Sequence, residues 1–95
     1  MYGTIGHLPV KPGMETVITL YLHDFEKVPG VVSSSLYCMD APSHDYYWTI
    51  VWLSKEVHDA NASSADFPTR YAQLLNLLTG DPEWHSGECM YTQNP

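Results

Sequence analysis

The chain reads as an α+β protein of the ferredoxin-like type, βαββαβ, with a four-stranded antiparallel sheet carrying its helices on one face. Three observations predict this. Turn-forming residues cut the 95 residues into six elements. The apolar spacing alternates between two and three-to-four in the order strand, helix, strand, strand, helix, strand. The third strand, Tyr46 to Trp52, is covered on both sides: Trp48, Ile50 and Trp52 fall on one face, and Tyr47, Thr49, Val51 and the following Leu53 on the other. Two helices cover one face of such a sheet. The other face is most cheaply covered by a second copy, which predicts a homodimeric α+β barrel with two-fold symmetry. The length suits one domain spanning 1–95.

The first strand runs from Tyr2 to Pro9, with Tyr2, Thr4, Gly6 and Leu8 alternating against Gly3, Ile5 and His7. Its glycines mark places where another backbone is expected to come close. After the turn Lys11-Pro12-Gly13, the apolar positions Met14, Val17, Ile18, Tyr21, Phe25 and Val28 predict an amphipathic helix from Met14 to about Lys27. Pro29-Gly30 stops it. Val31 to Met39 is the second strand, and its run Ser33-Ser34-Ser35 suits an edge. Residues 40–45 form a hairpin loop of turn formers. Ser54 is the expected N-cap of a short helix reaching about Ala60, followed by a break at Asn61 to Ser64. A second helical piece carries Phe67, Tyr71, Leu74, Leu75 and Leu78 on one face, and Gly80 is expected to cap it. The last strand is read as Trp84 to Thr92.

Composition excludes several functions. Four cations (Lys11, Lys27, Lys55, Arg70) face eleven carboxylates, a formal net charge of -7. Nucleic acid demands a basic stripe, and an anionic membrane demands a basic patch; neither is present. No apolar run approaches a membrane span. Met1 leads directly into strand-like sequence, so no signal peptide is expected and the expected location is cytoplasmic, with Cys38 and Cys89 as reduced thiols. Whether those two meet across a dimer stays open. Three Trp, seven Tyr and two Phe exceed what one small core readily holds, and the surplus points to a cavity or an interface. His58-Asp59, and His85 with Glu88, lack the spacing of a metal site, so no metal and no cofactor are expected.

Short motifs then match a known family. Lys11-Pro12-Gly13 resembles its "KPG" turn, and Pro29-Gly30-Val31 its entry to strand two. Leu36-Tyr37 resembles the "elY" that follows, and Val51-Trp52-Leu53-Ser54-Lys55-Glu56 the "xWxSKE" junction. Glu83-Trp84-His85 after Gly80-Asp81-Pro82 resembles the entry to the last strand. In this order and spacing, over nearly the whole chain, they resemble the antibiotic biosynthesis monooxygenase superfamily of small dimeric α+β barrels. The resemblance implies a dimer with a pocket between sheet and helices. It implies one of several activities: cofactor-free oxygenation of aromatic substrates, quinol oxygenation or haem degradation.

Oxygenation without a cofactor needs a dry aromatic pocket, a proton acceptor and donors for the substrate anion. Trp52 matches the family's strand-three tryptophan, and Arg70 falls near the arginine of polyketide-oxidising members. Those members carry an asparagine four residues before the tryptophan, where this chain has Trp48, which implies a smaller or differently shaped pocket. The candidate catalytic residues are Trp52, Arg70 as the anchor of a substrate anion, and His7 or His58 as the base. The expected substrate pocket contains Trp48, Tyr46, Phe67, Tyr71 and Asn61, with Phe25 near it. Each has a plainer reading: Trp52 as a core plug, Arg70 as a surface or ion-paired side chain, His7 as a satisfied core or interface residue. Haem-degrading members place an asparagine where this chain has Gly6. They place an axial histidine where it has Ala62, beside Asn61. The expected function is therefore a cofactor-independent monooxygenase of a hydrophobic aromatic or quinone-like molecule. The alternatives are a non-catalytic ligand-binding dimer, a purely structural module and, further off, a haem-degrading enzyme.

Overall fold

A computed structural model describes residues 1–40 and 45–93 of the chain. The elements follow in the expected order: β1 (Tyr2–Leu8), α1 (Glu15–Asp24), a 3-10 turn (Phe25–Lys27), β2 (Val31–Cys38), β3 (Tyr46–Trp52), α2 (Lys55–Ala62), α3 (Phe67–Leu75) and β4 (Glu83–Glu88). The strands form one antiparallel sheet in the order β2-β3-β1-β4, which is the ferredoxin-like arrangement. Residues 41–44 of the expected hairpin loop, His44 among them, lie outside the described residues.

The strand registers sort the sheet into rows. Leu36, Trp48, Gly6 and Trp84 align across all four strands, and Ser34, Ile50, Thr4 and Ser86 form the next row. These rows face the helices. The core on this side is Leu8, Ile18, Leu22, Trp48, Ile50, Trp52, Leu74 and Leu78, all buried. The other face carries the rows Tyr37, Tyr47, His7, Glu83 and Ser35, Thr49, Ile5, His85. In the single chain it is open: Ile5 is 51% exposed and Leu53, just beyond β3, is 62% exposed.

Several local expectations are corrected. In α1 the inward stripe takes Leu22 and leaves Val17 exposed, because the helix presents positions 18, 21, 22 and 25 to the sheet. Gly30 stops this segment with φ of 87°, and a Cβ there would collide with Val57 of α2. Ser54 does cap α2, its Oγ accepting from the Val57 amide at 3.2 Å. The break between α2 and α3 comes after Ala62, not at Asn61, so Asn61 is helical.

Helix α3 does not reach Leu78, and Gly80 does not cap it: Asn76 does. Leu78 instead pairs with Val10 in an isolated bridge. The Lys11 amide donates to Leu77 O at 2.9 Å and the Thr79 amide to Pro9 O at 2.7 Å. These bonds satisfy backbone groups on both loops at once, which a longer helix would leave open. Likewise β4 ends at Glu88, opposite Tyr2, rather than running on to Thr92. The Cys89 amide takes the Met1 carbonyl at 2.8 Å, and the strand goes no further.

The close approach expected at the glycines of β1 is real at Gly6, but a side chain makes it: a Cβ there would collide with the indole of Trp84. Cys38 ends β2 and Cys89 follows β4, at opposite edges of the sheet, so one chain does not join them. Among the described residues no helix is long and apolar enough to cross a membrane.

Candidate functional site

Between the sheet and the helices lies a cavity of about 220 Å³. The sheet supplies Thr4, Trp48, Ile50, Trp52, Trp84 and Ser86; α1 and its 3-10 extension supply Tyr21 and Phe25. The other wall comes from His58, Asn61 and Ala62 of α2 and from Phe67, Arg70, Tyr71 and Leu74 of α3. Helical periodicity places Phe67, Arg70, Tyr71 and Leu74 on one face of α3, three and four residues apart.

Of the sequence-predicted residues, the structure brings together Trp52, Arg70, His58, Trp48, Phe67, Tyr71 and Asn61. It leaves out His7 and Tyr46. His7 belongs to the alternate set of β1, so it faces the open side of the sheet, where Nε2 lies 3.2 Å from Asp45 Oδ1 and its ring lies 5.2 Å from Tyr47. Tyr46 shares the inner parity of β3 but sits at the strand's first position, opposite Cys38 and Leu8. A side-chain hydrogen bond with Cys38, then burial, raises its pKa. Reasoning from sequence missed Thr4, Tyr21, Trp84 and Ser86 as site residues. The alternation of Trp84 and Ser86 was a usable signal for the last two.

The walls are rings in mutual contact. Phe25 meets Trp48 edge-on at 4.8 Å and Trp52 at 5.8 Å; Phe67 stacks on Tyr71 at 5.5 Å with the planes 11° apart. Polar atoms among them are mostly paired. Trp52 Nε1 donates to Thr4 Oγ1 at 3.3 Å, and Thr4 Oγ1 lies 3.2 Å from Ser86 Oγ. Trp84 Nε1 donates to Tyr71 Oη at 3.0 Å. Tyr21 Oη donates to Arg70 O at 2.6 Å, tying α1 to α3. Burial raises the Tyr21 pKa, and the nearby Arg70 charge offsets part of that rise. Trp48 Nε1 is buried without a partner among the described residues, a loss of about 1–3 kcal/mol if no water reaches it.

Two groups bring a guanidinium and an imidazole to the cavity wall. Arg70 Nη2 donates to Asn61 Oδ1 at 2.8 Å and to Ser64 Oγ at 3.3 Å, and both acceptors are neutral. Among the described side chains no carboxylate pairs with Arg70, so it is not the ion-paired surface residue of the plainer reading. His58 Nδ1 lies 2.9 Å from Asp59 Oδ1, and its ring meets the edge of Trp52 at 5.4 Å. An ionised carboxylate accepts only, so Nδ1 carries a proton in this bond, and in the neutral imidazole the lone pair is on Nε2. His85 pairs with Glu83 at 2.7 Å, not with Glu88, and lies on the open face. At the haem-ligand position Ala62 does line the cavity, one turn beyond His58.

Neither a protein-family model nor a curated protein sequence matches the chain. Solved structures do match in fold. SnoaB, a cofactor-independent oxygenase from Streptomyces nogalater, is 17% identical with a TM-score of 0.76, over 96% of this chain and 94% of that one. A Chloroflexus aurantiacus protein assigned to the antibiotic biosynthesis monooxygenases is 24% identical, with a TM-score of 0.76 over 97% and 95%. A Nitrosomonas europaea protein of the same assignment is 13% identical, with a TM-score of 0.73 over 96% and 100%. At these identities the likeness establishes the fold.

Proposed function

We propose that this chain, which has the fold of the antibiotic biosynthesis monooxygenases, is a cofactor-independent monooxygenase of a hydrophobic aromatic or quinone-like small molecule. The observation that carries the reading is the cavity itself: aromatic walls closing around one guanidinium without a carboxylate partner among the described residues and one imidazole whose Nδ1 is held by Asp59. The name of one structural neighbour, a cofactor-independent oxygenase, supports it.

The chemistry follows from spin. Ground-state oxygen is a triplet and accepts a single electron from a closed-shell molecule only when that molecule is electron-rich. A phenol becomes so on losing its proton. His58 Nε2 takes that proton, and the Arg70 charge lowers the energy of the anion that remains. One-electron transfer to oxygen gives a paired radical and superoxide, which combine at a ring carbon as a C–O bond. The peroxide then loses water as a base removes the proton from that carbon. One oxygen atom ends as a carbonyl, the other as water, and the substrate supplies every electron. The aromatic wall keeps bulk water from the superoxide while it recombines.

Oxygen uptake by chelator-treated, flavin-free protein with a panel of quinols, naphthols and anthrones tests this. One quinone per oxygen consumed is the expected stoichiometry, with Arg70→Ala and His58→Ala each slowing it by about 10²-fold or more. Absence of uptake with every compound overturns the reading and leaves the cavity as a ligand-binding site. The open face also supports a second copy: Ile5, Tyr37 and Leu53 are more than half exposed there, too much apolar area for a face left bare. The dimer is part of the same proposal, and sedimentation at low concentration tests it.

A further inference from the structure

We infer that the cavity selects an arene of one or two fused rings bearing one acidic oxygen, and that Trp84, seated on Gly6, sets the size limit. The chemistry rests on the monooxygenase reading; the selection concerns binding and stands or falls separately.

The acidic oxygen is read from Arg70. A guanidinium has five N–H donors in a planar fork, and the described partners occupy only Nη2, with neutral oxygens. The charge sits in a cavity wall between Phe67 and Tyr71, with no described carboxylate to balance it, in a chain of formal net charge -7. A charge taken partly out of water without a counter-ion is costly, and an anionic ligand removes that cost. One turn further along α3 the lining becomes apolar at Leu74, which belongs to the same buried core cluster as Trp48 and Ile50. The cavity is thus polarised: an anion end at Arg70 and a hydrocarbon end at Leu74.

The size limit is read from volume and from what fixes it. At the density of protein interiors, a cavity of about 220 Å³ accommodates roughly 160 Å³ of ligand, about a dozen non-hydrogen atoms. That is two fused rings with a substituent. Trp84 defines this space. Its indole lies over Gly6 so closely that no Cβ fits beneath it. Gly6 is flanked in register by Trp48 on one side and Trp84 on the other. The Trp84 ring meets Trp48 at 6.0 Å and Tyr71 at 6.4 Å, with Nε1 donating to Tyr71 Oη. Held from beneath, beside and across, the ring has no alternative seat. Glycine at position 6 therefore sets how deep Trp84 sinks, and Trp84 sets how much room is left.

Equilibrium titration under anaerobic conditions separates binding from turnover. The probes are 1-hydroxy-2-naphthoate, naphthalene and anthracene-2-carboxylate. Wild type is expected to bind the hydroxynaphthoate at least about tenfold more tightly than either of the others. Trp84→Ala is expected to admit the anthracene acid, reversing that preference. Gly6→Ala lifts the indole into the cavity and is expected to weaken the naphthoate about tenfold. If Gly6→Ala fails to fold by circular dichroism, Trp84→Phe carries the size test, with a smaller gain for the tricycle. Arg70→Gln is expected to erase the preference for the acid over naphthalene. Equal wild-type affinity for the three probes, or no change in the two-ring to three-ring ratio in Trp84→Ala, overturns the inference. Binding as expected without oxygen uptake leaves the inference standing and overturns the monooxygenase reading; uptake with tricyclic substrates does the reverse.

Discussion

The interior has two parts built on different principles. Around Leu8, Ile18 and Leu22 it is sealed: Ile18 is 0% and Leu8 1% exposed, and α1 brings no polar side chain to these positions. Around Thr4, Trp52 and Trp84 it opens into the cavity, and most polar atoms are held by a named partner. The first part derives its stability from apolar contact, which is cheap to specify and indifferent to detail. The second gives up contact for space and recovers order through hydrogen bonds, which fix orientation. One helix serves both: Ile18 and Leu22 face the sealed part, Tyr21 and Phe25 the open one.

Substitutions should tell the two parts apart. The largest loss is expected in the sealed part: Ile18→Ala removes a fully buried side chain and should cost about 2–5 kcal/mol in urea unfolding, with ligand affinity unchanged while the protein stays folded. A comparable cost at Arg70 would erase the contrast. On the opposite face of the sheet, Val51→Asp places a charge where a second copy is proposed to sit, so sedimentation should show the dimer lost and the subunit destabilised. A soluble, folded monomer would contradict that burial.

In the open part, Thr4→Val keeps the shape but leaves Trp52 Nε1 without its acceptor, and a loss of about 1–3 kcal/mol is expected. The smallest effect on stability is expected from Arg70→Ala, under about 1 kcal/mol, while acidic-ligand affinity falls steeply. Tyr21 sharpens the contrast through pH. Its folded pKa is raised, so its contribution is fully present below the unfolded phenol value and is lost as pH climbs through the folded one. The melting temperature should fall in that alkaline window, and Tyr21→Phe should flatten the fall.

The fold was legible in the chain itself, and so was the sealed part apart from Leu22, whose place the stripe had given to Val17. Pro29-Gly30, Ser54 and the period change at Trp52 announce their elements by local chemistry that needs no partner. The two helix-facing rows of the sheet were also legible as parity. The cavity was legible as an excess of rings and, through the family resemblance, at Trp52 and Arg70. His7 and Tyr46 were misplaced because parity does not say which side of β1 is covered, nor at which end of β3 a hole lies. The alternation of Trp84 and Ser86 puts both on one face, but nothing local says that position 84 lies across Gly6, and Tyr21 could be read from sequence only as part of an apolar helix stripe. The end of α3 was misjudged for the same reason, since its competitor was a bridge to Val10, distant in sequence.

That bridge has a consequence for entry. The segment just past α3 is clamped to the 9–11 segment by backbone bonds from Lys11 and Thr79, while the first turns of α3 are held to α1 and α2 by bonds that each involve a side chain, from Tyr21 and to Asn61. Amide hydrogens near Ser64 to Phe67 are expected to exchange faster than those at Leu77 to Thr79, so that a guest would be expected to enter beside Phe67.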